Sequence, residues 1–332
     1  MAEKTVFQKL AEEIGAGDSK IIPKIFATLV DEIGGRILLA AAPPATLEEI
    51  AEKSGIPRER VEERIAPLFQ KGLIFMSQKG GLIRYYRVRN VGQFHDSSAV
   101  SLDASRELLD LWKEYMATEW IGYGKKIEQI LPRPVVRVIP VNVGIDQKAE
   151  ILAFEDVKRI VESAANLAVT KCSCRAIDGK CGKPVEVCFQ INRAADYAIE
   201  RGTGRKIDQE EAIRILKMCQ EEGLVHVTTN SQEMGHFICN CCNDCCMNWV
   251  LLRSGVKKFV VPSRFQAEVD AASCSSCETC LDRCYFNALR IEDTAVVDPN
   301  KCMGCGLCLP TCPADAIHLK EVKGPDSVPK LH

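Results

Sequence analysis

The 332-residue sequence predicts a multidomain α+β protein. Three observations predict this fold class: helix signals followed by a hairpin in the N-terminal third, a middle region that mixes short helices and strands among nine cysteines, and two cysteine runs near the C-terminus. The predicted divisions are 1–100, a helical extension and linker over 101–132, a cysteine-rich mixed α/β domain over 133–266, a further cysteine-rich domain over 267–320, and a tail over 321–332.

The N-terminal elements follow from capping and breaking residues. The predicted elements are a helix over 20–42, a second over 46–55, a third from Pro57, and strands over 73–77 and 82–88. Thr46 and Glu49 form a capping box at the start of the second helix, and Gly55 takes the usual glycine position at its end. Three helices and a hairpin in this order make a winged helix-turn-helix.

Residues 25–90 resemble winged-helix transcriptional regulators in their order of elements. The resemblance implies a third helix in the DNA major groove and a basic hairpin, with Lys79, Arg84, Arg87 and Arg89, on phosphates. The third helix, however, carries as many glutamates as arginines, and Pro67 lies where a long recognition helix should continue. A docking or homodimerisation module is therefore the favoured interpretation, and a DNA-binding module is the alternative. A further helical stretch, 104–130, follows, and prolines near residue 132 mark a linker.

In the middle region, nine cysteines bracket a helical insert, four before it and five after it. They are Cys172, Cys174, Cys181 and Cys188 before it, and Cys239, Cys241, Cys242, Cys245 and Cys246 after it. In one interpretation each side holds its own 4Fe-4S cluster; in another both sides converge on one cluster and leave spare thiols. Structural zinc at one site is a third possibility, because four cysteines in a compact loop also suit tetrahedral zinc.

Other side chains of this region are weaker candidates. Cys219 falls on the apolar face of a helix capped by Asp208 and is predicted to be core. His226 and His236 are predicted to be hydrogen-bonded or surface histidines, with His236 the better of the two as a metal ligand.

The stretch 132–320 is similar to poorly characterised iron–sulfur proteins of anaerobic microbes. It has a CxCR segment at Cys172 to Arg175 and an ICNCC segment at Ile238 to Cys242, both ahead of the C-terminal runs. The resemblance implies electron-transfer chemistry without naming a substrate.

The C-terminal runs have the spacing CxxCxxCxxxC, which suits cubane iron–sulfur clusters. Three closely spaced thiolates bind one cluster, and the fourth cysteine of each run binds the other cluster. The predicted ligands are Cys274, Cys277, Cys280 and Cys312 for one 4Fe-4S cluster, and Cys302, Cys305, Cys308 and Cys284 for the second. Zinc is the less favoured occupant, because two interleaved runs are typical of iron–sulfur sites.

Residues 268–319 resemble the bacterial ferredoxins that carry two 4Fe-4S clusters. The eight cysteines are in register, Pro313 follows Cys312, and Gly304 and Gly306 keep the backbone small beside the second cluster. Tyr285 stands where the family has a proline after the first run, a departure that removes no ligand.

The charge and composition of the chain indicate which partners and which compartment to expect. The net charge of −2 gives no general attraction to nucleic acid or anionic lipid. The N-terminus has no apolar signal core and no run is long enough to span a membrane, so the eighteen cysteines are interpreted as cytoplasmic metal ligands in an oxygen-poor host.

Three functions remain open from the sequence. The favoured one is a multi-cluster electron-transfer subunit that serves a flavoprotein or metalloenzyme reductase. The alternatives are a redox-responsive DNA-binding regulator and a reductase whose middle cluster acts on a substrate itself.

Overall fold

The computed structural model describes residues 3–140 and 156–330. Part of the predicted middle domain, 141–155, and the end of the predicted tail therefore lie outside the described residues. The chain divides into two compact units, the first formed by Met1–Gln129, Ser173–Gly179 and Ile199–Thr203, and the second by Ile130–Cys172, Lys180–Ala198 and Gly204–His332. Among the described helices, none has the length and apolar character needed to cross a membrane.

Helices and short strands alternate along most of the chain. The helices are α1 (Val6–Glu13), α2 (Ile22–Leu29), α3 (Glu32–Ala40), α4 (Leu47–Ser54), α5 (Arg58–Gln70), α6 (Val91–Ser98), α7 (Arg106–Thr118), α8 (Trp120–Ile130), α9 (Val157–Ser163), α10 (Ser173–Asp178), α11 (Arg193–Glu200), α12 (Gln209–Glu221), α13 (Met247–Arg253) and α14 (Thr279–Arg283). The strands are β1 (Ile74–Lys79), β2 (Leu82–Arg87), β3 (Val136–Ile139), β4 (Leu167–Lys171), β5 (Glu186–Ile191), β6 (Gly204–Lys206), β7 (Val225–Thr229), β8 (Phe237–Cys241), β9 (Val260–Val261), β10 (Phe265–Val269), β11 (Leu289–Ile291), β12 (Ala295–Val297) and β13 (Ile317–Glu321).

In the first unit, a short antiparallel hairpin follows the helices α3, α4 and α5. β1 and β2 pair from Ile74 opposite Arg87 to Lys79 opposite Leu82. Ala45, between α3 and α4, adds an antiparallel bridge to Tyr85 on β2. The capping box of Thr46 and Glu49 is present, as predicted from the sequence. The element order over α3, α4, α5, β1 and β2 therefore agrees with the order that the sequence predicted.

The single helix predicted over 20–42 is wrong, because the chain breaks it into α2 and α3. Val30 is extended, with φ −143° and ψ 153°. Asp31 then caps α3 by accepting a hydrogen bond from the Gly34 amide at 2.8 Å. A side-chain cap competes with continued helix at this position, which the apolar spacing alone did not reveal.

The second unit is built on a seven-stranded sheet in the order β6-β4-β5-β8-β7-β3-β9. Neighbouring strands are antiparallel except β3 and β9. One face carries an aliphatic core with Val169, Phe189 and Ile238, against which α9 and α12 pack. The opposite face carries Val138, Val227 and several cysteines. Because side chains alternate along a strand, this division decides which cysteines meet.

The C-terminal part of the second unit has two small antiparallel ladders. β10 pairs with β13 from Phe265 opposite Glu321 to Val269 opposite Ile317, and β11 pairs with β12 inside that span. The core between them contains Phe265, Leu309 and Leu319 together with cysteines of both runs. In the sequence, the first cysteine run lies between β10 and β11, and the second lies between β12 and β13.

Candidate metal centres

The sheet of the second unit brings cysteines from both sides of the helical insert to one face. Cys188 on β5 precedes Phe189, which pairs with Ile238 on β8. Because adjacent strand residues lie on opposite faces, Cys239 lies on the face opposite Ile238 and the aliphatic core. Cys241, two residues later on β8, lies on the same face as Cys239. Cys172 begins the loop after β4, where its amide donates to Val185 at 2.8 Å.

Five thiols meet on this face, and we call them the five-thiol set. Its members are Cys172, Cys188, Cys239, Cys241 and Cys246. Cys188 has side-chain hydrogen bonds with Cys172 and Cys239, and Cys241 has them with Cys239 and Cys246. The hydrogen bonds with Cys239 and Cys246, together with burial, raise the pKa of Cys241 well above its usual value. A cation is the natural partner of thiols packed this closely, since it binds them as thiolates.

A second group, the compact set, consists of Cys181, Cys242, Asp244 and Cys245. Its three sulfur atoms and one carboxylate oxygen all lie within 4.8 Å of one another. Cys242 is buried, Cys181 and Cys245 are half-buried, and Asp244 is exposed. This set also draws on both sides of the helical insert, so the predicted site of Cys172, Cys174, Cys181 and Cys188 alone is not what the structure assembles.

The remaining middle candidates lie elsewhere. Cys174 lies on α10, which belongs to the first unit. Cys219 is buried on the inner face of α12, where the sequence predicted it. His226 is buried and hydrogen-bonded to Asn240, and burial lowers the pKa of its imidazole to about 4. His236 is exposed. The structure thus assigns neither histidine to the two thiol sets.

In the C-terminal part, one pocket is lined by Cys274, Cys277, Cys280 and Cys312, which we call the outer set. The Ala295 amide donates to the Cys274 sulfur at 3.5 Å, and this bond is the main reason that the pKa of Cys274 is lowered. A hydrogen bond with Thr279 lowers the pKa of Cys277, which is exposed. Three cysteines of the first run and the last cysteine of the second therefore lie around one space.

The other four cysteines, Cys284, Cys302, Cys305 and Cys308, form the inner set. Cys284, Cys302 and Cys305 are electrostatic neighbours of Cys308. Burial raises the pKa of Cys305 to about 12 and that of Cys308 well above its usual value. Cys280 of the outer set is also an electrostatic neighbour of Cys308, so the two sets adjoin.

The two halves of this part repeat at an interval of 28 residues, as the pairs 274/302 and 284/312 show. Hydrogen bonds from main-chain amides to cysteine sulfur atoms repeat at the same interval. The Ala288 amide donates to Cys284 and the Ala316 amide donates to Cys312, both at 3.3 Å. Left-handed backbone repeats as well, at the pairs 276/304, 278/306 and 287/315. The repeat gives both sets the same main-chain donors, which stabilise negative charge on sulfur.

The inner set and the five-thiol set share a core. Cys305 packs in the same cluster as Cys239, Cys241 and Cys246, with Trp249 and Phe286 between the ladders and the sheet. Tyr285, which stands where the ferredoxins that residues 268–319 resemble have a proline, belongs to this core, and burial raises its pKa to about 12. Cys242 and Cys305 are both among its electrostatic neighbours. The substitution thus provides a large side chain where the two cysteine-rich parts meet.

Comparison with protein families gives one match. Residues 295–318, which include all four cysteines of the second run, match the model of the 4Fe-4S binding domain. No curated protein and no solved structure was found to be similar to the chain. The match and the thiol sets indicate an iron–sulfur protein of the electron-transfer type.

Proposed function

We propose that the chain is a multi-cluster electron-transfer protein, with 4Fe-4S clusters at the outer set, the inner set and the five-thiol set. Such clusters accept and release single electrons when bound. The observation that carries the proposal is the continuity of the three sets: Cys280 adjoins Cys308, and Cys305 shares a core with the five-thiol set. The exposed Cys277 lies at one end of this series.

The residues present fit clusters at these positions. Main-chain amides already donate to sulfur atoms in the outer and inner sets. Trp249, which is 1% exposed and packs beside Cys241 and Cys246, has an indole N–H without an acceptor among the described residues. An acceptor at that place would remove the cost of burying this donor, and a cluster sulfur is one.

The ligand assignment at the C-terminus is tested by paired variants. If the fourth cysteine of each run crosses over, Cys312→Ser and Cys277→Ser remove the same reduced-state EPR signal, and Cys284→Ser and Cys305→Ser remove the other. Each variant is purified anaerobically and loses about four irons of about twelve per chain. If Cys312→Ser instead shares its signal with Cys305→Ser, the crossed assignment is wrong.

The electron-transfer function itself is tested by a redox titration of the full chain. We expect stepwise one-electron reduction of three clusters and rapid delivery of electrons from the reduced chain to a soluble one-electron acceptor. Cys277→Ser is expected to slow that delivery most, because it removes the exposed end of the series, whereas the matched substitution Cys219→Ser leaves the rate unchanged. A chain whose iron does not reduce, or whose three signals titrate without any transfer, contradicts the proposal.

A second candidate, a reductase acting at the middle cluster, is favoured by one observation. The five-thiol set has five sulfur atoms, whereas a cubane takes four cysteine ligands. The fifth thiol would then be available for chemistry beside the cluster. Brief treatment of the reduced holoprotein with iodoacetamide, followed by peptide mass mapping, is expected to label one of the five under this proposal, and labelling of none contradicts it.

We further propose that the N-terminal helices and hairpin form a winged helix that docks a partner, with a flavoprotein or metalloenzyme reductase as the redox partner. The charges of this region support docking over DNA binding. Arg58 pairs with Glu48 at 2.8 Å and with Glu62 at 2.9 Å. On the hairpin, Arg84 pairs with Glu49 at 2.8 Å. Cations already paired with carboxylates contribute little to phosphate binding.

A further inference from the structure

The compact set differs from the other thiol sets in how closely its ligand atoms converge. Its three sulfur atoms and the Asp244 oxygen all lie within 4.8 Å of one another. Within residues 3–140 and 156–330, no other set of three or more cysteine, histidine or carboxylate ligand atoms converges as closely. A cubane spreads its four thiolates over four iron atoms, so its ligands stand further apart than this.

Ligand atoms that bind one tetrahedral metal ion lie closer together than the thiolates of a cubane cluster. Zinc–sulfur bonds of about 2.3 Å place tetrahedral sulfur ligands about 3.8 Å apart, and a carboxylate oxygen at about 2.0 Å comes slightly nearer. All of these distances are shorter than 4.8 Å, the distance within which the ligand atoms of the compact set lie from one another. Two cysteines separated by two residues, as in Cys242 and Cys245, are also the usual spacing of a zinc-binding turn.

The surrounding backbone holds this turn in place. Arg253 on α13 donates to the Asn243 carbonyl and, at 2.5 Å, to its side-chain amide oxygen. The Cys245 amide donates to one carboxylate oxygen of Asp244 at 3.0 Å, which orients that side chain. On the other side, the Cys181 backbone and thiol both hydrogen-bond to the Cys245 sulfur. Gly179 and Gly182, with φ of +62° and +65°, provide the left-handed turns around Cys181.

We infer that Cys181, Cys242, Cys245 and Asp244 bind a single zinc(II) ion. The ion joins the loop before β5 to the turn after β8, and it closes the end of the sheet beside Tyr285. Zinc is redox-inactive, so the site is structural and lies outside the series of electron carriers. This inference goes beyond the proposed function and does not depend on it, because zinc content and electron transfer are measured separately.

The test begins with the full chain purified anaerobically from medium containing zinc and iron. Elemental analysis is expected to give one zinc per chain. X-ray absorption at the zinc edge is expected to show about three sulfur ligands at about 2.3 Å and one oxygen at about 2.0 Å. A chain with no zinc, or a zinc ion with four sulfur or mainly nitrogen and oxygen ligands, overturns the inference.

Variants then separate this site from the clusters. Cys181→Ser is expected to lose the zinc while the iron and sulfide contents stay unchanged. Asp244→Asn is expected to release zinc to a chromogenic chelator roughly tenfold faster, whereas Asp326→Asn, an exposed carboxylate of the same unit, leaves release unchanged. Loss of about four irons from Cys181→Ser would assign the residue to a cluster and overturn the zinc site. Failure of electron transfer with the zinc intact would affect only the proposed function.

Discussion

At Gly304 the backbone of the second cysteine run passes so close to β10 that no side chain fits. An added Cβ would lie 2.0 Å from the Phe265 carbonyl oxygen and 2.2 Å from the Ser263 hydroxyl, and φ is +63°. Both the contact and the left-handed conformation exclude other residues. Glycine here therefore fixes the approach of Cys302 and Cys305 to the strand.

We expect Gly304→Ala to destabilise the holoprotein by at least about 3 kcal/mol, because the backbone must move away from β10. The measurement is anaerobic urea unfolding, followed by the absorbance of bound iron. Gly324→Ala is the matched control: nothing lies within 4 Å of its Cβ position and its φ is −67°. That control is expected to change stability by no more than about 0.5 kcal/mol, and equal effects of the two variants contradict the steric argument.

The first cysteine run has non-glycine residues at the two left-handed positions where the second run has glycines. Ser276 and Glu278 adopt φ of 54° and 65°, at the positions equivalent to Gly304 and Gly306. Glu278→Gly is therefore expected to stabilise the holoprotein by about 0.5–1 kcal/mol, since glycine enters the left-handed region without strain. Glu292→Gly, an exposed glutamate with no positive φ, is the control and is expected to be destabilising. The prediction fails if both variants lose stability in the urea titration.

These residues also show what the sequence could predict at this scale. The four cysteines that the spacing predicted as ligands of one cluster line the outer pocket, and their ligation of a cluster stays a prediction. Gly304 and Gly306 predicted a backbone kept small beside the second cluster, and they did so for the second run only. Ser276 and Glu278 gave no such signal, since neither residue type indicates left-handed backbone, and only the 28-residue repeat relates them to Gly304 and Gly306.

At the scale of elements, two strands explain how the middle cysteines come together. β5 and β8 carry Cys188 and Cys239 and are adjacent in the sheet. The sequence predicted short strands in this region, but it did not place them at β5 and β8. The available signal in EVCFQI was the alternation of Val187, Phe189 and Ile191 with the residues between them. Without these strands, the sequence left open whether the cysteines on the two sides of the helical insert come together.

Helix capping was predicted in part. Asp208 caps α12 by accepting from the Glu211 amide at 2.7 Å, as expected. The Glu211 carboxylate does not return to the cap, however, because it pairs with Arg205 at 2.7 Å. Competition from Arg205, which precedes the helix on β6, decided the partner of the Glu211 carboxylate, and the capping-box pattern does not include such a residue.

The arginines of α5 and the hairpin give a prediction about nucleic acid. Arg64 pairs with Asp31 at 2.8 Å, and Arg87 is buried against Glu13 at 2.5 Å. We expect the full chain to show no salt-dependent binding to a short random-sequence DNA duplex in fluorescence anisotropy, because these pairs would have to break. The variant combining Glu48→Gln, Glu62→Gln and Asp31→Asn releases Arg58 and Arg64 and is expected to bind weakly at low salt. Tight, salt-dependent binding by the unmodified chain would favour the DNA-binding alternative.

At the scale of the whole molecule, all four thiol sets belong to the second unit. Cys174 lies in the first unit and Cys219 is a core residue of the second, and neither belongs to a set. Three of the sets are contiguous through side chains that are buried or half-buried. Apolar packing around thiols raises their pKa values, as at Cys308, so the metal-free protein buries protonated thiols next to one another. Metal binding replaces those protons and supplies attractions that the apolar side chains cannot. The second unit should therefore depend on metal for its stability, whereas the first unit has a core of its own.

The tryptophans report the two units separately and make this expectation testable. Trp112 and Trp120 are fully buried in the first unit, where Trp112 contacts Phe94 at 5.1 Å between ring centroids. Trp249 lies in the second unit beside the five-thiol set. Removal of iron by chelation is expected to abolish the near-ultraviolet circular dichroism of Trp249 and to leave that of Trp112 and Trp120, with Trp249→Phe identifying the lost component. We expect this result because, of the described surroundings of the three tryptophans, only those of Trp249 contain the thiols that bind cations. A Trp249 signal that survives complete iron removal would mean that this core is held by apolar packing alone.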